Sequence, residues 1–319
     1  MRILTRAVSA LAIASLLAAC SGGAGTSSLP SVPTGVTPDV APGDFVAMGS
    51  FAARGDENAS IHFLPTVDSF PQPVRGVSGD RTAMAGSNNL IYGSGPVQTA
   101  PKLYVVFWGS AWNGSGDPNG LKSLLPAFLA KVGGSAWNST VTQYTMSGGA
   151  HAGNPAGNYG GSYVDTTSSP AKRPTQSQMA AEAAKAAAHF GDRSSSAEYI
   201  VAMPHGIVPS GFKTQYCAYH ATTTSSGSTI SWTNLPYLPD AGTGCGANSV
   251  AGPNDGVSIV EGHEMAESET DPQLGAWLDS SGAEIGDKCA WVNLQETNLN
   301  GTNYPTQPLW SNAVSGCVQ

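Results

Sequence analysis

The sequence predicts an α/β protein: a single domain with a mixed, largely parallel sheet flanked by helices and a site-bearing helix near the C-terminal third. Three observations predict it. Leu103 to Trp108 and Tyr199 to Met203 are short, continuous apolar runs, the character of strands buried on both faces. Leu121 to Val132 and Gln178 to Phe190 have helical spacing and alternate with those runs, as in layered α/β architectures. Val260 to Pro272 holds a polar helix pattern bearing His263, Glu264 and Glu267.

The elements follow in chain order. Residues 1–20 have the form of a bacterial lipoprotein signal: Arg2 and Arg6 start it, and Ala7 to Ala19 is an apolar run too short to span a bilayer. It ends Leu17-Ala18-Ala19-Cys20, which resembles a lipobox, so Cys20 is the expected lipidation site and the membrane the expected partner through it. The absence of Asp just after Cys20 favours the outer membrane of a bacterial cell envelope, facing periplasm or exterior. Residues 21–44 are Ser, Gly and Pro-rich and bury too little apolar surface to fold, which makes them a flexible tether. Residues 45–319 form one globular α/β domain without internal repeats.

Within that domain, Ile61 to Leu64 and Leu90 to Tyr92 are weak strands. Gly109 ends the strong strand 103–108, Gly133-Gly134 stops the helix from Leu121, and Gly191 stops the helix from Gln178. Residues 213–220 and 229–237 are further strands around a Ser/Gly turn at 225–228. The last helix begins near Asn254-Asp255, both good caps, and ends before Pro272.

Charged residues make up 11% of the chain and Gly occurs 39 times, which suits an exported, loop-rich domain. The formal net charge is −8, and removal of residues 1–20 deletes Arg2 and Arg6 but no acid, giving −10. Nucleic-acid binding, which needs a basic face, is excluded on that ground. With Cys20 lipidated, Cys217, Cys245, Cys289 and Cys317 remain, an even number for an oxidising compartment. The favoured pairing is Cys217–Cys245 and Cys289–Cys317, because each closes a local loop around the site; no C-x-x-C spacing supports a thiolate metal site.

The site rests on the H-E-x-x-E arrangement. His263 and Glu267 sit one helical turn apart on one face and can reach the same ion. Glu264 is offset by roughly 100° and occupies the general-base position of the H-E-x-x-H zinc hydrolases, so the helix is zincin-like with Glu in place of the second His. The third ligand is expected at Asp287, with Glu284 the alternative and Asp279 and His220 weaker candidates. Zn²⁺ is the expected cofactor, and the carboxylate-rich donor set leaves room for Ca²⁺ or Mn²⁺. His220 is the expected oxyanion partner in catalysis. The plain alternative is a solvent-facing acidic helix, since H-E-x-x-E alone is a weak motif. Against it, Glu261, Glu264, Glu267, Glu269 and Asp271 repel one another without a Lys or Arg among them, and a bound cation relieves that repulsion. A loop His suffices for His205 and a strand-edge His for His220, while His62, His151 and His189 carry no motif. Trp108, Trp137 and Trp277 are expected in the core, and Gly148 to Gly153 lacks the Lys-Ser/Thr of a phosphate loop.

Several blocks then resemble one family. They are Val105 to Ser110, Gly134 to Trp137 with Thr142-Gln143-Tyr144, Phe212 to His220, Gly262 to Glu267 with Thr270-Asp271-Pro272, Ala276-Trp277, and Glu284 to Cys289. As a set they resemble bacterial relatives of the plant phosphate-induced (EXORDIUM-like) secreted proteins, over about residues 100–317. The resemblance implies an extracellular protein and a shared site at His263, Glu264, Glu267 and Asp287, and names no reaction. The expected function is a membrane-anchored, extracytoplasmic metallohydrolase acting on peptide or a cell-envelope polymer. The alternative is a non-catalytic EXORDIUM-like binding module with a structural metal site.

Overall fold

The computed structural model describes residues 61–70 and 88–319. The leader at 1–20 with Cys20, and the tether at 21–44, lie outside the described residues. The strands in chain order are β1 (Leu64–Pro65), β2 (Ile91–Tyr92), β3 (Lys102–Trp108), β4 (Tyr159–Asp165), β5 (Ala197–Ala202), β6 (Tyr216–Ser225) and β7 (Ser228–Leu235). They continue with β8 (Trp277–Leu278), β9 (Gln295–Leu299), β10 (Thr302–Thr306), β11 (Leu309–Ser311) and β12 (Gly316–Val318). The α-helices are α1 (Leu121–Val132), α2 (Gln176–Phe190) and α3 (Asp255–Thr270).

The central sheet has six strands in the order β1-β6-β7-β5-β3-β4. β7, β5, β3 and β4 run parallel, while β6 runs antiparallel to β7 and β1 antiparallel to β6. This is the mixed, largely parallel sheet the alternating pattern predicts. α2 packs on one face, against β3, β5, β6 and β7, and α3 packs against β1, β6 and β7 on the other, beside α1. Val105, Val106, Ile200 and Val201 are buried because both faces of the sheet are covered.

Local chemistry explains the helix ends. The Asp117 carboxylate accepts from the N–H groups of Leu121 and Lys122 at the start of α1. Thr175 and Gln178 form a reciprocal capping box on α2, which ends at Gly191 in the left-handed region. α3 departs from expectation at its start. Asn254 makes no side-chain cap bond; instead Asp255 folds backwards and accepts from the N–H groups of Val250, Ala251 and Gly252.

β4 has no signal in the sequence, because Gly160-Gly161 interrupts any apolar run. Its pairing is decided by packing: a Cβ on Gly160 would lie 2.3 Å from the Tyr104 ring, so only glycine lets the strand close against β3. The segment 213–215 is a turn rather than the start of β6, with Gln215 N–H bonded to the Gly211 carbonyl. Trp108 and Trp137 are in the core as expected, whereas Trp277 is half-buried and packs against it.

The largest correction concerns α3. Every residue from Asp255 to Thr270 is buried, so the solvent-facing acidic helix is overturned. Sheet, α1, β10 and the segment around Asp287 enclose it. The sheet face beneath it is polar, with Glu198, His220, Ser231 and Thr233 all buried. Thr233 Oγ1 donates to Glu198 at 2.6 Å and Ser231 bonds Ser268 of α3 at 3.2 Å. α3 places Val257, Ile259, Val260, Met265 and Ala266 in the core, yet buries Glu261, His263, Glu264, Glu267 and Glu269 as well, so hydrophobic packing alone does not account for it.

Candidate metal centre

One turn of α3 sets the first pair. His263 Nε2 lies 2.9 Å from Glu267 Oε1, out of line for a hydrogen bond, and 3.7 Å from Asp287 Oδ1. The i,i+4 geometry and the expected third ligand therefore come together. Asp287 is held there by backbone: its N–H donates to Glu267 Oε1 at 3.0 Å, and its Oδ2 accepts from Glu284 N–H at 3.1 Å. Gln307 donates to the Gly286 carbonyl at 2.8 Å, and Trp310 N–H donates to that of Ile285 at 3.0 Å. The Cys289–Cys317 disulfide closes this turn from the other side, and Cys217–Cys245 forms as well, both in the favoured pairing.

His220 completes a second group. It lies on β6, an interior strand, fully buried rather than at an edge. Its Nδ1 is 3.6 Å from Glu264 Oε2 and from Glu267 Oε2, and its Nε2 is 3.6 Å from Glu284 Oε1. Glu284, weighed only as a substitute for Asp287, belongs here together with it. His62 carried no motif, yet its Nδ1 sits 3.8 Å from Glu284 Oε2. Leu64 pairs with Ala218 in antiparallel register, and two residues further along that register His62 comes level with His220. Ile61 to Leu64 is a weak strand signal in the sequence, and only the β1–β6 pairing gives His62 a place beside the cluster.

Other residues fall outside. Asp279 pairs with Lys288 at 2.9 Å and caps its own loop through Ser281 and Ala283, so it is not a ligand candidate. Glu269 accepts from Asn138, and Asp271 accepts from the N–H groups of Gly275 and Ala276. His205 contacts Asp240 in a loop, and His189 stacks on Tyr163 at 3.7 Å. Thr145 and His151 bridge across the Gly148-Gly149 turn.

Three overlapping groups result: His263, Glu267 and Asp287; His220, Glu267 and Glu284; His62, Glu284 and Asp287. The donors of each group lie within 4.8 Å of one another. Two ligands of a tetrahedral zinc, each about 2.1 Å from it, are separated by about 3.4 Å. The 3.6–3.8 Å approaches are too long for hydrogen bonds and suit a shared cation. Both oxygens of Glu264 and Glu284, both nitrogens of His263 and Nδ1 of His220 have no hydrogen-bond partner. Buried polar atoms are rarely left so, and no Lys or Arg pairs with these carboxylates among the described residues. The residues present therefore fit a divalent ion.

The electrostatics agree. Burial resists charge on His263, but Glu267 beside it prevails and raises its pKa to about 9. At His220 burial is likewise overridden, by Glu284, Glu264 and Glu267, and the pKa rises well above the ordinary value. Asp287 goes up to about 8 through burial and the charge of Glu267. Glu267 goes down to about 2: burial opposes that shift, and the two imidazoles impose it. This is a set of groups competing for positive charge, which a metal supplies more strongly than protons do.

No family model matches the chain, and no solved structure does. Among curated proteins the chain is similar to Protein EXORDIUM-like 5 of Arabidopsis thaliana, 27% identical over 247 residues. The match covers 64% of this chain and 65% of that protein, so the chain spans somewhat less than two thirds of its relative's length. An EXORDIUM-like relationship is thereby supported.

Proposed function

We propose that this chain is an extracytoplasmic EXORDIUM-like module whose domain is held together by a buried divalent cation at His263, Glu267 and Asp287. The observation that carries this reading is the closure of the site. His220, His263, Glu264 and Glu284 are 0% exposed and several of their polar atoms have no partner. A cation there offsets buried negative charge and ties α3 to the turn at Glu284 to Asp287. Zn²⁺ is the first expectation because imidazoles contribute, with Mn²⁺ or Ca²⁺ as alternatives. Lipidation at Cys20 attaches the module to the membrane, and its exposed surface meets peptide or cell-envelope polymer.

The test is elemental analysis of the purified mature protein beside His263→Ala, with thermal melts before and after chelation. Bound metal in the parent, its loss in the variant and a lower Tm on chelation support the reading. A metal-free parent after reconstitution with zinc, melting alike with and without chelator, refutes it.

A second reading, hydrolysis, is favoured by Glu264. Both its oxygens are unpartnered and one faces His220. When bound, zinc supplies an acidified water and a Lewis acid. Glu264 would be placed to accept a proton from water and return it to the leaving group, and His220 to donate to the developing oxyanion. Because these residues are fully buried, this reading also requires the segment around Glu284 to move aside for substrate. Glu264→Gln should abolish cleavage of a peptide library and retain the metal; unchanged cleavage ends this role for Glu264.

A further inference from the structure

A single ion at His263, Glu267 and Asp287 leaves much of the cluster unexplained. His220 remains, together with Glu264 and Glu284, which are buried and without hydrogen-bond partners on their carboxylate oxygens. The arrangement of carboxylate oxygens shows what these groups do. Glu267 turns its two oxygens to different imidazoles: Oε1 is 2.9 Å from His263 Nε2 and Oε2 is 3.6 Å from His220 Nδ1. Glu284 repeats the pattern, with Oε1 3.6 Å from His220 Nε2 and Oε2 3.8 Å from His62 Nδ1. Imidazoles and two-sided carboxylates alternate from His263 through Glu267, His220 and Glu284 to His62, a succession that suits carboxylates bridging cations.

We propose that the cluster holds two divalent cations, the first at His263, Glu267 and Asp287 and the second at His220, Glu267 and Glu284, with the Glu267 carboxylate bridging them. Each set brings its donor atoms within 4.8 Å of one another, and Glu267 belongs to both. Charge points the same way. Glu264, Glu267, Glu284 and Asp287 are four buried carboxylates, and no described Lys or Arg pairs with any of them. A second ion beside His220 places positive charge where the Glu264 and Glu284 oxygens lie buried without a hydrogen-bond partner. His62 faces the other oxygen of Glu284, at 3.8 Å. The mixed imidazole and carboxylate donors suit Zn²⁺ or Mn²⁺, ions that form paired centres bridged by carboxylates. The second ion rests on the reading of the first site as a cation site, so the experiment separates the two.

The mature full-length chain is stripped with chelator, loaded with excess Zn²⁺, desalted and analysed for zinc per chain. His220→Asn and Glu284→Gln are treated in parallel and checked for folding by circular dichroism. Two zinc ions per chain in the parent and one in either folded variant are expected. One ion in the parent overturns the second site and leaves the first standing; none overturns both. Two ions in the parent and in both variants overturn the assignment to His220 and Glu284. Loading with Mn²⁺ gives a readout that does not depend on any variant. An exchange-coupled electron paramagnetic resonance spectrum is expected for a carboxylate-bridged pair, and two isolated six-line signals overturn the bridge.

Discussion

Gly286 and His263 are in contact across the centre: a Cβ built on Gly286 would lie 2.6 Å from His263 Nδ1 and 2.9 Å from Glu267 Oε1. The backbone at Gly286 is right-handed, with φ −80°, so conformation does not require glycine there. Space does. The turn from Glu284 to Asp287 reaches the helix only because position 286 lacks a side chain.

Gly286→Ala is therefore expected to push the turn away from α3 and separate Asp287 from His263. We expect loss of bound metal and destabilisation of about 2 kcal/mol or more, as for other overpacked interiors. Gly275→Ala, where a Cβ meets nothing within 4 Å, is the control and should melt like the parent. Denaturant melts and metal analysis of both variants check this; a Gly286→Ala protein with full metal content contradicts it.

Metal removal should lower stability by mass action. An ion present at about a hundred times its Kd contributes about 2.7 kcal/mol to the folded state. For a domain of this size that corresponds to a drop in Tm of roughly 5–11 °C on chelation. Calorimetry with and without chelator measures it, and re-addition of Zn²⁺ should restore the parent curve.

Glu182 gives a pH dependence separate from the metal centre. Its burial, aided by the charge of Asp165, pushes its pKa up to about 7 from an ordinary 4.5. Lys185, 3.9 Å away, is engaged by Asp165, Thr167 and Ser168. A raised carboxylate pKa means the fold favours the protonated form. Its contribution is full below pH 4.5 and is lost as pH rises through about 7. Glu182→Gln should remove that loss and gain on the order of 1–3 kcal/mol over the parent at pH 8. Equal pH profiles for variant and parent would falsify the assignment.

Each disulfide spans 28 residues, and the loop-entropy model gives about 3–4 kcal/mol for such a loop. Cys289→Ser with Cys317→Ser should lose roughly that stability and weaken metal binding, because Cys289 ends the short helix that begins at Asp287. Unfolding by guanidinium and zinc titration are the measurements.

If Cys20 carries a lipid, Cys20→Ser should shift the protein from the membrane fraction to the extracytoplasmic fluid. Fractionation of cells expressing parent and variant decides it; a variant still sedimenting with membranes contradicts lipidation at Cys20.

The sequence by itself determined the elements whose physics is local. The apolar runs at β3 and β5 and the glycine stops of α1 and α2 were legible, because burial on both faces and helix termination leave marks within a few residues. His263 and Glu267 were legible by helical spacing, and Asp287, with Glu284 as its alternative, by reach of the chain; the fold groups all four in one cluster. Only the tertiary structure decided the rest. That α3 is buried on every side depends on what packs against it, and an acidic helix has the same sequence pattern in water or in a core. His62 and His220 come together through an antiparallel register between segments far apart in the chain, and β4 pairs because Gly160 admits Tyr104. Long-range pairing and space-filling leave no local periodicity, which is why the two-sided display of Glu267 and Glu284 to three imidazoles emerges only when the chain is folded.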